Sequence, residues 1–139
     1  MKIKLIDFGC REDELPVRKH YNDAGADVHL KEDLTLWPNQ TVKTGLGFGV
    51  EIPDGYTGFI CPRSGMSSQG ITCELTPIDS GYRGEIHAVI TNCTNTIQSL
   101  GKGQRVGQLV VLPVVLADFV WPWELGAERE TAGFGSTGK

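Results

Sequence analysis

Apolar and polar positions alternate in short runs along the chain. Residues 2–6 (KIKLI) alternate, and in residues 41–52 (TVKTGLGFGVEI) Val42, Leu46, Phe48 and Val50 stand against polar or glycine positions. Residues 56–61 (YTGFIC), 84–92 (GEIHAVITN) and 105–116 (RVGQLVVLPVVL) continue the series, with the turn-forming stretches WPNQ, IPDGY and GKGQ between them. A period of two places alternate side chains on opposite faces of a strand. No window longer than ten residues carries the i, i+3, i+4, i+7 spacing of a helix. The pattern predicts an all-β chain, a sandwich or a barrel of jelly-roll-like topology, without a repeat of fixed period. One short helix is predicted over 64–69 (SGMSSQ), with Ser64 as its N-cap. Residues 70–82 (GITCELTPIDSGY) read as a hairpin with Ile71, Cys73 and Leu75 on one face.

The pattern fades near the end. From Gly126 the chain loses apolar residues and gains Gly, Ser and Thr, which predicts a β domain over 1–125 and a flexible arm over 126–139. Just before it, residues 118–125 (DFVWPWEL) are apolar enough to need cover from the domain or from another subunit. Residues 133–139 (GFGSTGK) fit the first seven places of the phosphate-loop pattern G-x-x-x-x-G-K-[ST]. The pattern predicts no strand before them and the sequence ends at Lys139, so the context of that loop is missing.

Composition narrows the class. The 139 residues are 40% hydrophobic and 22% charged, with a formal net charge of −4, ordinary for one soluble domain. The acidic balance and the absence of long Lys/Arg runs argue against nucleic acid as a partner. No apolar run reaches membrane-spanning length and the charged start MKIKLIDFGC does not read as a signal peptide, so no membrane partner and a cytoplasmic location are expected. Cys10, Cys61, Cys73 and Cys93 show no metal-binding spacing and read as buried free thiols.

Four stretches carry candidate chemistry. In CPRSGMSSQG (61–70), Gly65 permits close backbone approach to a ligand, and Arg63 offers either a fork for an oxyanion or one half of a buried ion pair. In TPIDSGYRGE (76–85), Asp79 is either an Asx-turn residue or a general base, with the Tyr82 ring at the same turn. Asp27, between Ala26 and Val28, requires a partner if it is buried. Gln108 is a polar residue in an apolar strand, facing either solvent or a ligand. Zinc-deaminase and nucleophile-elbow signatures are missing.

These stretches also carry a resemblance. DAGADVHL (23–30), PRSGMSSQG (62–70), IDSGYRGEI (78–86), KGQRVGQLV (102–110) and RETAGFGSTG (129–138) resemble, in order and spacing, the five motifs of the homotrimeric dUTPases. The resemblance implies a jelly-roll-like β-barrel with one short helix, a homotrimer with active sites at subunit interfaces, and Mg²⁺-assisted hydrolysis of dUTP to dUMP and pyrophosphate. That reaction keeps uracil out of DNA and supplies dUMP for dTMP synthesis. Carried over residue by residue, Asp79 would activate the water that attacks the α-phosphorus. Tyr82 would pack on the deoxyribose, and the hairpin including Ile78 would hold uracil through its backbone. Arg63, Ser64, Gly65 and Gln108 would contact the phosphates, and Asp27 would lie near the water shell of the Mg²⁺. In the arm, Phe134 would stack over the base while Arg129, Gly135, Ser136 and Thr137 close over the phosphates.

Some positions depart from the family. Glu74 and Thr76 replace glycines that many relatives have in the hairpin, and Pro77 replaces an apolar residue and removes an amide donor. Gly81 replaces a common acid and Ala132 a frequent glycine. The related dCTP deaminases carry a different acid in the strand after the hairpin, whereas HAVITN has none past Glu85. A binding module that had lost catalysis would lack Asp79, Tyr82 or the Phe134 arm, and all three are present. The sequence leaves room for a regulatory protein partner without naming its surface.

Overall fold

The computed structural model describes residues 1–126, and they form eleven short antiparallel strands in four sheets. Strand β1 (Lys4–Asp7) pairs with β5 (Phe48–Glu51), and β3 (Leu34–Leu36) with β10 (Gln98–Leu100). A three-stranded sheet has the order β4 (Thr41–Gly45), β9 (His87–Asn92), β7 (Ile71–Cys73). The largest runs β2 (Ala26–His29), β11 (Arg105–Pro113), β6 (Tyr56–Cys61), β8 (Pro77–Ile78). Each pair joins segments distant in sequence, as a jelly roll requires, and α1 (Ser64–Ser67) is a single turn.

Alternation puts one face of β6 and of β9 inside. On β9, Ala88, Ile90 and Asn92 point inward and His87, Val89 and Thr91 outward. Phe48, Leu30, Leu36, Ile90 and Val106 are among the side chains fully removed from water in one continuous core. Asn92 is the polar exception. Its amide donates to the carbonyls of Leu36 at 3.1 Å and Thr96 at 2.8 Å, and its carbonyl accepts from the Thr94 amide at 2.9 Å and hydroxyl at 2.6 Å. Every hydrogen-bonding group it has is used, so its burial ties β9 to β3 and to the following turn.

The structure revises several expectations. Residues 41–52 are two strands in two sheets, because Gly47 at φ 81° turns the chain between β4 and β5. Ser64 is the first residue of α1, whose N-cap is Arg63, and no side chain caps it. The hairpin at 70–82 is not a paired hairpin. Its first arm, β7, pairs with β9 and its second, β8, pairs with β6, so the arms diverge. Leu75 lies in the gap, 57% exposed, while Ile71 and Cys73 are buried.

All four cysteines are free, but only Cys73 is buried. Loss of solvent pushes its thiol up to about 11. Cys93 follows the inward Asn92 at the end of β9, so it falls on the outward phase of the strand and is exposed. Beyond β11, Phe119, Trp121, Trp123 and Leu125 are also exposed, so the domain itself does not cover the DFVWPWEL stretch. The two tryptophan rings stack on each other at 5.0 Å. No helix among the described residues is long and apolar enough to cross a membrane.

Replacing Asn92 with alanine takes the side-chain donor from the buried Leu36 carbonyl, removes the acceptor of the Thr94 amide and hydroxyl, and leaves a void. The expected cost is about 3 kcal/mol of unfolding free energy, measured by urea titration against the wild type.

Candidate active site

Two clefts hold Asp27, Arg63, Ile78, Asp79, Tyr82 and Gln108 of the sequence-predicted residues. The first, of about 240 Å³, is lined by Lys19, Asp23, Asp27, Arg63, Arg105 and Gln108, with Ala24 and Gly25. Its floor is Asp27 on β2, 7% exposed. Arg105 donates from Nη1 to Asp27 Oδ2 at 3.0 Å, Gln108 donates from Nε2 to Oδ1 at 3.3 Å, and Arg63 Nε stands 4.0 Å from Oδ1. Arg63 also donates to the Arg105 carbonyl at 3.1 Å.

A bulge makes this cluster. Residues three apart on a regular strand point to opposite faces, so Arg105 and Gln108 could not both reach Asp27. In β11, however, Arg105 pairs with His29 and Gly107 with Val28. The extra residue flips the alternation and turns both side chains toward β2. Gly25 completes the packing, since a Cβ there would lie 2.7 Å from the Gln108 Cβ. Burial alone would raise the Asp27 carboxyl. The hydrogen bonds from Arg105 and Gln108, with the charges of Arg105 and Arg63, outweigh it and hold the group below the ordinary carboxylate value. Sequence reading placed Asp27, Arg63 and Gln108 but missed Arg105. A buried Asp27 called for a partner, and Arg105 stands two residues before Gly107, the glycine opposite Val28.

The second cleft, of about 450 Å³, opens where β7 and β8 part. Asp79, Tyr82, Pro77, Ile78, Glu85 and His87 line it, with Glu74 and Lys43 at its side. Asp79 is exposed at the turn after β8, where its carbonyl accepts from the Tyr82 amide at 3.0 Å. Thr57 fixes the approach to that turn by donating to the Ile78 carbonyl at 2.9 Å. The Tyr82 hydroxyl donates to the Glu85 carbonyl at 2.8 Å, which folds the ring back over the turn. On the opposite wall the Glu74 amide donates to the Val89 carbonyl at 2.8 Å. Backbone direction alternates along a strand, so the N–H and C=O of His87 point the same way, into the gap between the arms.

The two clefts share no lining residue. Ser64 and Gly65 are exposed on α1 and line neither. Arg129, Phe134, Gly135, Ser136 and Thr137 lie outside the described residues. Among the described residues, no group of three or more His, Cys, Asp or Glu could cage a metal ion.

Comparison with known proteins covers the whole chain. Residues 11–138 match the family model described as dUTPase. A deoxyuridine 5'-triphosphate nucleotidohydrolase of Nautilia profundicola is 40% identical, with 100% of each chain covered. One from Leifsonia xyli subsp. xyli is 38% identical, with 96% of this chain and 91% of that one covered. Among solved structures, a mutant of the Staphylococcus bacteriophage 80alpha dUTPase with dUpNHpp superposes at a TM-score of 0.83, with 25% identity and 99% of each chain covered. A dUTPase mutant from phage phi11 of S. aureus, described with a structural Mg(II) ion, superposes at 0.77, with 24% identity, 87% of this chain and 96% of that chain covered.

The lowered Asp27 carboxyl sets a pH dependence. Its stabilisation is fully present above the ordinary carboxylate value of about 3.9 and is lost as pH falls through the lower folded-state value. Urea titrations from neutral pH into the acid range should therefore show the wild type losing stability more steeply than Asp27→Asn below about pH 4. Parallel curves would remove the carboxylate as the cause.

Proposed function

The chain belongs to the dUTPase family, and from that premise we propose that it hydrolyses dUTP to dUMP and pyrophosphate, with Asp79 as the base and Mg²⁺ as cofactor. The observation that carries the assignment is the second cleft: an exposed carboxylate and a tyrosine ring at the mouth of a slot walled by main chain.

Uracil enters between the diverged arms of β7 and β8, and main-chain donors and acceptors read its edge. Asp79 takes a proton from a water held in line with the α-phosphorus. The water oxygen bonds to that phosphorus as the bond to the bridging oxygen of pyrophosphate breaks, and Asp79 carries the released proton. Most of the gain comes from placement and charge stabilisation. Tyr82 packs on the sugar and leaves no room for a 2′-hydroxyl. Arg63, Ser64, Gly65 and Gln108 bind the phosphates. Arg129, Gly135, Ser136 and Thr137 close over them from the arm that begins at residue 126, and Phe134 stacks on the base.

The donor set near Asp27 fits a hydrated Mg²⁺. A single carboxylate already held by Arg105 and Gln108 suits an outer-shell acceptor of metal-bound water better than a direct ligand. When bound, the ion neutralises charge on the triphosphate oxygens. The separation of the two clefts and the exposed apolar stretch 114–125 both support a homotrimer whose sites combine residues of neighbouring subunits. The setting for this reaction is the cytoplasm.

Asp79→Asn should keep nucleotide affinity while turnover falls by at least about a thousandfold, because the variant can position water but not accept its proton. Isothermal titration with a non-hydrolysable dUTP analogue and a pyrophosphate-release assay separate the two. A wild-type rate in this variant would remove Asp79 from the chemistry. Truncation after Glu128 should leave a trimer by sedimentation that turns over poorly, and an undiminished rate would refute the closing role of the arm.

A further inference from the structure

Glu85 lies deeper in the second cleft, and nothing in the hydrolysis above uses it. Two parts of this residue act on different neighbours. Its carbonyl accepts the Tyr82 hydroxyl at 2.8 Å, and His87 Nδ1 lies 2.9 Å from the same oxygen, an arrangement that selects the N–H tautomer at Nδ1. Its carboxylate is half-buried. It accepts the Gly47 amide at 2.8 Å through Oε1, while Oε2 stands 3.9 Å from His87 Nε2. The Gly47 carbonyl in turn accepts the amides of Phe8 at 2.9 Å and Cys10 at 3.0 Å, so the anchor runs into the N-terminal segment.

The chain makes room for this carboxylate. A Cβ on Gly45 would lie 2.5 Å from Glu85 Oε1 and 2.7 Å from its Cδ, closer than real side chains approach. Gly84 similarly leaves the space taken by the Tyr82 hydroxyl, which a Cβ would strike. The ring therefore hangs from the Glu85 carbonyl, and the Glu85 side chain pins that carbonyl to the loop between β4 and β5.

We propose that Glu85 is a positioning residue for sugar discrimination: its carboxylate, hydrogen-bonded to Gly47 in the slot left by Gly45, holds the Tyr82 ring where it excludes a 2′-hydroxyl. This rests on the dUTPase reading of the same cleft. The role needs a hydrogen-bond acceptor at Oε1 and not a negative charge. Glutamine at this position accepts from the Gly47 amide equally well, and its NH₂ can donate to His87 Nε2.

The test is kcat/KM for dUTP and for UTP in the full-length wild type, Glu85→Gln, Glu85→Ala and Gly45→Ala, with a thermal melt of each. The ratio dUTP/UTP should stay near the wild-type value in Glu85→Gln. It should fall by about tenfold in Glu85→Ala, the scale of one lost anchoring hydrogen bond. Gly45→Ala leaves Glu85 intact but fills its slot, and should reproduce the fall even if Glu85→Ala folds poorly. Three results would overturn the proposal: an unchanged ratio in Gly45→Ala, a folded Glu85→Ala that loses both substrates equally, or a Glu85→Gln that behaves as alanine does. A wild type inactive on dUTP would instead refute the underlying activity.

Discussion

The stretch from Ile71 to Asp79 must serve two sheets at once. Its first arm completes the sheet of β4 and β9, and its second completes the edge of the sheet built on β11. The arms cannot also pair with each other. Main-chain donors and acceptors beside the gap therefore face a cleft rather than a ladder, and such groups call for a partner. A planar ligand with donors and acceptors along one edge meets that need. In the proposed reading, recognition by backbone leaves the side chains of Glu74 and Thr76 free to vary. Pro77 fits as well, because β8 is the edge strand of its sheet and an edge tolerates a residue without an N–H.

The other cleft obeys a different constraint. A carboxylate as buried as Asp27 is costly unless it is paired, and the β11 bulge supplies the pairing by turning Arg105 and Gln108 to the same side. The result is a cation-rich pocket, with Lys19, Arg63 and Arg105 against two carboxylates, in a chain of net charge −4. Locally placed arginines thus give an acidic protein the cationic lining that the proposed phosphate contacts require.

The sequence showed the all-β class, the bounds of β6 and the motifs of both clefts, because alternation and short motifs are local signals. It did not show what depends on distant partners. The split of residues 41–52 turns on the left-handed conformation of Gly47, and the diverged arms on competition between β9 and β6 for the same segment. Arg105 was hidden by a bulge that no spacing rule reveals. The burial of Asn92 depends on Leu36, 56 residues away, whose carbonyl accepts its amide. Cys93 is exposed because it shares the outward phase of His87, Val89 and Thr91, which only the observed burial of Asn92 fixes.

The central claim is that a slot walled by main chain selects uracil while Asp79 cleaves the nucleotide beside it. Pyrophosphate release from dUTP, dTTP, dCTP and UTP, with and without Mg²⁺, tests it most directly. The account predicts Mg²⁺-dependent release from dUTP, exceeding each of the other three by at least about a hundredfold. Comparable release from dCTP or dTTP would contradict it.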